Sequence, residues 1–361
     1  MRPAPAGAGH TGRRPDLDRA PITVAWEITR ACPLRCLHCR AEAIPHRDPR
    51  ELDTDEGRAL IDDVAALGTR VLVITGGDPL ARPDVFDLIA YAASRGLHVG
   101  FSPSVTGRLT PTALTRAVDA GTGSVHLSLD GASAEVHDGF RGVRGSFDRT
   151  LSALRHVRDL DVPLQVGTSV TRSTVGDLPG VAEAIAGLAS TWSLFFLVPT
   201  GRGQVSDMLD AHEHEATLAW LADVADELPF RVRTTAAPTY RRVRAQRGLA
   251  EPPAASANDG RGFCFVSHVG EVHPSGFLPL PVGDVRKASL MTIYRDAPLL
   301  KRLRDPSQLG GRCGRCEFRR TCSGSRARAY ALTGDPLAED PTCNHQPHPG
   351  DDARAASSPG R

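Results

Sequence analysis

Between Pro21 and about Pro199, short apolar runs alternate with longer stretches at helical spacing. The runs are "ITVAWEIT", "RVLVITGG", "LHVGFSPS", "SVHLSLDG", "VPLQVGTSV" and "WSLFFLVPT". "RVLVITGG" is apolar at successive positions, so both of its faces are buried, as in a parallel strand. Between the runs lie amphipathic segments. "DTDEGRALIDDVAAL" opens with a cap at Asp53 or Thr54, and "RPDVFDLIAYAASRG" closes at Gly96. "TPTALTRAVDAG", "SFDRTLSALRHVRD" and "VGDLPGVAEAIAGLA" complete the series. Six strands separated by helices predict an α/β fold with a parallel sheet, right-handed crossovers and a site at the C-terminal strand ends. Periodicity alone leaves a doubly wound sheet and a partial or full barrel equally open.

The rhythm changes further along. A long helix, "EHEATLAWLADVADEL", precedes Pro229, where the alternation ends. Residues 231–259 read as a linker. Residues 260–345 are rich in Gly, Pro and Cys and read as a small second module that depends on metal more than on a large core. The ends, residues 1–20 and 346–361, are polar, Pro/Gly/Arg-rich and expected to be disordered. The segment "GASAEVHDGFRG", with Glu135, His137 and Asp138, reads as loop and helix cap rather than as an acid–base site.

Charge and composition narrow the function classes. The formal charge is +1, from 43 basic and 42 acidic residues, and aromatics make up 5%. Neither favours a nucleic-acid surface. No apolar run is long enough to span a membrane, and the N-terminus has no signal-peptide core. Without an export signal, the eight cysteines are better read as metal ligands than as disulfides, and the cytoplasm is the expected compartment.

Three of those cysteines, Cys32, Cys36 and Cys39, lie in "CPLRCLHC" directly after the first strand. Three thiolates on one loop can wrap a soft-metal site and leave one position open, which chemistry needs and structure does not. Zinc completed by His38 is the alternative, but a histidine adjacent to Cys39 is poorly placed to reach the same ion. Near the C-terminus, Cys313, Cys316, Cys322 and Cys343 supply four further thiols at paired spacing, which suits either a structural zinc or an iron–sulfur cluster.

C-x3-C-x2-C after the first strand of a βα series resembles the radical S-adenosylmethionine (SAM) superfamily. The resemblance covers about residues 21–205. It implies a partial (β/α)6 barrel, a [4Fe-4S] cluster on Cys32, Cys36 and Cys39, and an open iron that takes S-adenosylmethionine. "TGGDP" is similar to the family's "GGEP" stretch, with Asp78 in place of the usual Glu. Gly76, Gly77, Asp78 and Pro79 would therefore receive the methionyl amino group. Ser102, Ser128 and Asp130, at the ends of strands three and four, would meet the ribose hydroxyls or the surroundings of the methionyl carboxylate. Arg172, after strand five, would pair with a carboxylate of cofactor or substrate. "VPTGRG", beginning at Val198, would lie beside the adenine.

The second module resembles the SPASM type of C-terminal extension. Cys313, Cys316, Cys322 and Cys343 match the ligands of its outer auxiliary cluster. The inner cluster keeps only Cys264, because Ser275 and Arg326 stand at cysteine positions. One auxiliary [4Fe-4S] cluster is implied, with zinc as the rival. "CGRCEFRRTCSGSRARAYALTGDPLAEDPTC" is similar to the haem and haem d1 biosynthesis members. That similarity implies a tetrapyrrole with carboxylate side chains as substrate. Arg141, Arg144, Arg172, Arg202 and Arg326 are candidate carboxylate partners, and His268 and His273 candidates near an iron or a propionate. Many SPASM proteins instead mature peptides, so a peptide substrate is the second reading, and a non-enzymatic iron–sulfur electron carrier the third. A reductant such as flavodoxin or ferredoxin is the implied partner of either enzyme.

Overall fold

The computed structural model describes residues 16–250 and 258–347. Strands β1 (Thr23–Glu27), β2 (Val71–Thr75), β3 (His98–Phe101), β4 (Thr122–Ser128), β5 (Leu164–Val170) and β6 (Thr191–Phe196) fall on the six apolar runs. They pair in parallel and in sequence order. Helices cover one face. Val24, Trp26, Leu72, Ile74, Val99 and Phe101 point into that helical layer, while Val125, Leu127, Val166, Trp192 and Leu194 do so further round. Side chains alternate along a strand, so Glu27, Thr75, Ser102, Ser128 and Ser169 line the concave face. The sheet is an open, partial barrel with a hydrophilic interior.

The helix boundaries have local causes. Asp53 and Glu56 form a reciprocal capping box on the helix Thr54–Leu67, and Gly68 ends it at φ 84°. Asp210 and Glu213 cap Ala211–Val224 in the same way, so that helix begins two residues before the expected start.

Three expectations need correction. Residues 231–259 are not simply a linker. They contain β7 (Arg231–Thr235), which pairs in parallel with β6, and a helix, Thr239–Gln246; residues 251–257 lie outside the described residues. Alternating "RVRTT" carries too few apolar residues to read as a strand, because one edge and one face of β7 stay open. The 260–345 segment does not stand apart from the barrel. Its β8 (Phe263–Val266) adds to β1 in parallel, and β9 (Glu271–His273) and β10 (Gly283–Asp284) extend the same sheet antiparallel, giving the order β10-β9-β8-β1-β2-β3-β4-β5-β6-β7. Cys264, Val266, Leu290, Tyr294 and Leu300 join the core formed by β1, β2 and their helices. Finally, residues 16–20 of the N-terminal lead are held in place: the Tyr294 hydroxyl donates to Leu17 O at 2.7 Å and Arg295 Nε to Arg19 O at 2.9 Å. Residues 1–15 and 348–361 lie outside the described residues.

The C-terminal segment also reaches the far side of the opening. Phe277 meets Phe195 of β6 at 6.5 Å between ring centroids, and Asn344 Nδ2 donates to Ala211 O at 2.9 Å. The module therefore spans from β1 to β6.

Candidate cluster and cofactor site

The loop that carries Cys32, Cys36 and Cys39 leaves β1 at the C-terminal end of the sheet. Its base is closed by Cys32 N–H donating to Ile44 O (2.9 Å) and Ile44 N–H to Arg30 O (3.1 Å). Three neighbouring segments, those after β2 and β6 and the end of a helix after β4, then grip it. Gly77 N–H donates to Thr29 O and Asp78 N–H to Ala31 O, both at 2.7 Å; Leu37 N–H donates to Phe140 O at 3.2 Å; Arg202 N–H donates to Cys39 O at 3.1 Å. Cys32 and Cys36 are buried and Cys39 is half-buried. Burial pushes the Cys32 thiol up, so this thiol ionises readily only against a positive partner such as iron.

The glycines of "TGGDP" are needed for contact. A Cβ on Gly76 would stand 2.6 Å from Thr29 O, and one on Gly77 2.6 Å from Arg30 O. Only bare backbone fits that close to the loop base. Asp78 is fully buried, and its carboxylate accepts from Leu80 N–H (3.2 Å) and the Thr106 hydroxyl (2.7 Å). Burial raises its pKa while those bonds oppose the rise. The carboxylate thus fixes the loop from within and caps the short 3-10 turn that Pro79 opens. Ser104 Oγ donates to Gly77 O at 2.6 Å and lies 3.8 Å from Cys32 Sγ.

On the other side, Asp130 is fully buried and accepts from Ser169 N–H at 2.7 Å. Its second oxygen is 2.5 Å from Arg141 Nη2, and Arg141 Nη1 lies 3.8 Å from Cys36 Sγ. Burial would raise the Asp130 pKa, but the Arg141 charge outweighs it and the group is held ionised. Arg141 therefore ties a barrel carboxylate to a cluster thiol. It was foreseen only as a substrate contact. The segment "GASAEVHDGFRG" is mostly the helix Ala134–Arg141, capped by Ser133, and that helix delivers the arginine. His137 on the same helix accepts from Asp130 N–H at Nδ1 (3.0 Å), and burial holds its pKa down at about 4. His38 stacks on Phe140 with ring centroids 4.2 Å apart and the two planes nearly parallel, so its ring packs on the helix.

The remaining sequence candidates divide. Ser102 and Ser128 are half-buried on the concave face. Val198 is buried in the core just past β6. Arg172 is directed elsewhere than expected: its Nε donates to Met208 O at 2.7 Å and Nη2 lies 3.6 Å from Glu213, on the half-exposed outer rim. The reason is local, since the segment after β6 folds back and offers a carbonyl and a carboxylate to it. Arg326 is likewise committed, donating to Pro336 O, Ala338 O and Cys313 Sγ. The sequence reading also passed over Glu27, buried at the end of β1 and paired with Arg40 at 3.0 Å; the arginine directly after Cys39 was the available signal.

Cys313, Cys316, Cys322 and Cys343 line one cleft, with Arg242 from the helix after β7. Gly324 N–H points at Cys322 Sγ and Asp340 N–H at Cys313 Sγ, both at 3.4 Å. Burial pushes the Cys316 and Cys322 thiols up to about 12. Cys264 is away from this cleft. It is wholly buried on β8 opposite Val24, with burial raising its pKa to about 12, which makes it a core residue.

The profile of the radical SAM superfamily matches residues 26–179, which span β1 to the helix after β5. Over 344 residues the chain is 39% identical to the AdoMet-dependent heme synthase of Methanosarcina barkeri, covering 92% of this chain and 98% of that protein. The chain belongs to the radical SAM superfamily. It is an enzyme, and the family implies a [4Fe-4S] cluster and S-adenosylmethionine. It is also 33% identical over 332 residues to the mycofactocin maturase MftC of Mycobacterium tuberculosis, covering 90% of this chain and 83% of that one. In fold it is similar to Streptococcus suis SuiB bound to its precursor peptide SuiA, with TM-score 0.73 and 12% identity over 91% of this chain and 76% of that one. Among the described residues no helix is long and apolar enough to cross a membrane.

Proposed function

We propose that this radical SAM enzyme modifies carboxylate side chains of a tetrapyrrole. The observation that carries the reading is end-to-end similarity to a haem synthase, 39% over 98% of that protein's length. The hydrophilic concave face of the barrel agrees with a large polar substrate.

In this reading Cys32, Cys36 and Cys39 hold a [4Fe-4S] cluster with one iron left to S-adenosylmethionine. The donor set fits: three thiols on one gripped loop, with Arg141 beside Cys36 to balance negative charge. When bound there, S-adenosylmethionine supplies a 5′-deoxyadenosyl radical that takes hydrogen from an unactivated carbon. The chain orients it. The Gly76–Pro79 backbone, packed on the loop base, receives the amino group, and Ser102 and Ser128 offer hydroxyls to the ribose. Asp130 acts through Arg141 as a positioning residue.

Cys313, Cys316, Cys322 and Cys343 would hold an auxiliary [4Fe-4S] cluster, which would supply a second electron-transfer centre. Sulfurs around one tetrahedral zinc lie about 3.8 Å apart, given Zn–S bonds near 2.3 Å. Among the described residues, the ligand group that closes to within 4.8 Å is Cys316, Glu317 and His345, not the four thiols. The resemblance to SPASM-type enzymes, not the spacing of the thiols, favours a multi-iron cluster over zinc. N–H donors aimed at cluster sulfurs are a common means of tuning potential. A flavodoxin- or ferredoxin-type reductant and a cytoplasmic location complete the proposal. The second reading, peptide maturation, is supported by the 33% identity to a mycofactocin maturase.

The test is anaerobic reconstitution with iron and sulfide. Wild type should carry about eight irons per chain and the Cys32/Cys36/Cys39 triple alanine variant about four, from two four-iron clusters. With reductant, only wild type should form 5′-deoxyadenosine, and iron-coproporphyrin III should lose carbon dioxide in the same tube. Deoxyadenosine without a change in the porphyrin, but with a mass change in a candidate peptide, would replace the tetrapyrrole reading with the peptide one.

A further inference from the structure

We propose that the Nε–Nη2 edge of Arg202 is a carboxylate-binding site beside the cluster loop. Of the five arginines singled out in the sequence, Arg141, Arg172 and Arg326 are engaged within the chain, and Arg144 is exposed. Arg202 differs from all four. Its Nε and Nη2 are both buried and have no hydrogen-bond partner among the described residues. The side chain as a whole is half-buried, but N–H donors taken out of water without an acceptor carry a desolvation penalty, which a ligand anion at this edge would remove. The two nitrogens are adjacent on one edge of the guanidinium plane, and their hydrogens are spaced to meet both oxygens of one carboxylate.

The position is built rather than incidental. Gly201 adopts φ +59°, and a Cβ there would meet the carbonyls of Cys39 and Arg40. Arg202 N–H donates to Cys39 O. The stem of Arg202 is thereby pinned to the cysteine loop at the C-terminal end of β6. Two carboxylate sources share this chemistry: the methionyl group of S-adenosylmethionine and a side chain of the substrate. The second source rests on the tetrapyrrole reading above; the first does not.

The experiment measures equilibrium binding to the reconstituted full chain, wild type against Arg202→Gln and Arg202→Lys. The probes are S-adenosylmethionine against its decarboxylated analogue, and iron-coproporphyrin III against its tetramethyl ester. Arg202→Gln should weaken one of the two acids roughly ten- to hundredfold, the effect of losing a charge-assisted pair, and leave its carboxylate-free counterpart unchanged. Arg202→Lys keeps the charge but not the fork, so it should recover only part of the loss. A loss confined to S-adenosylmethionine assigns the edge to the cofactor, and a loss confined to the porphyrin assigns it to the substrate. Wild type that binds no porphyrin refutes the tetrapyrrole reading, and the cofactor pair then decides the role of Arg202 alone. Should Arg202→Gln load no iron, the lysine variant carries the same comparison. Unchanged binding of every acid that wild type binds overturns the proposal.

Discussion

Gly77 shows how one residue can hold the site together. Its Cβ position is taken by the Arg30 and Ala31 carbonyls at 2.6 and 2.7 Å. Gly77→Ala must therefore push two backbone segments apart at the root of the cysteine loop. We expect a stability loss of about 1–3 kcal/mol, as for other overpacked sites, and a fall in bound iron, measured by urea denaturation and iron analysis. Normal iron with normal stability would show that the loop yields. Asp130 is the second case. Asp130→Asn leaves Arg141 buried without its anion, which should cost about 3–5 kcal/mol. Replacing both, as Asp130→Asn with Arg141→Met, should restore much of that loss, read from the same denaturation curves. The glycine pair and the three cysteines were legible because each carries its chemistry in its own type. The Asp130–Arg141–Cys36 chain was not, since its members are 11 and 105 positions apart and only folding brings them together.

At the scale of elements, the important pairing is β8 with β1, Thr23 opposite Phe263 through Trp26 opposite Val266. A strand from the far end of the chain thus completes one edge of the barrel, and Leu290, Tyr294 and Leu300, all 0% exposed, pack on its helices. Ending the chain at residue 250 would expose the β1 edge and that apolar surface. We expect the truncated barrel to aggregate or to unfold without cooperativity, as judged by size-exclusion chromatography and calorimetry. A soluble, cooperatively folding fragment would restore the view of the module as an independent unit. The six barrel strands were readable from continuous apolar runs. β7 was not, because an edge strand with a polar face lacks that signal, and β8 carried no mark of its partner.

Across the whole molecule, buried histidines set the acid limit. His137 is held at about 4 by burial, with Arg141 adding to it, and its ring accepts a hydrogen bond that protonation would break. His38 and His126 are lowered to about 4 as well, again chiefly by burial. Above pH 6.5 these rings are neutral in both folded and unfolded chains and do not affect stability. Between 6.5 and about 4 the unfolded chain takes up protons that the folded chain refuses. Stability therefore falls with pH, by up to about 1.4 kcal/mol per unit for each histidine. Tm should be flat from pH 7.5 to 6.5 and decline below that, and His137→Gln should flatten the decline by one histidine's share. An equal slope in the variant would remove His137 from the account.

The sequence by itself determined the βα order, the two thiol sets and the glycine turn beside the first of them. These follow from local rules: side-chain periodicity, the soft-ligand character of sulfur and the space that a missing Cβ leaves. The tertiary structure decided which charges meet. It committed Arg141, Arg172 and Arg326 to partners within the chain, left the Arg202 edge buried without a partner among the described residues, and fused the cysteine-rich segment to the barrel through β8. Whether a long cationic side chain is occupied or available depends on which carbonyls and carboxylates distant segments bring to it, and the spacing of residues along the chain carries no record of that.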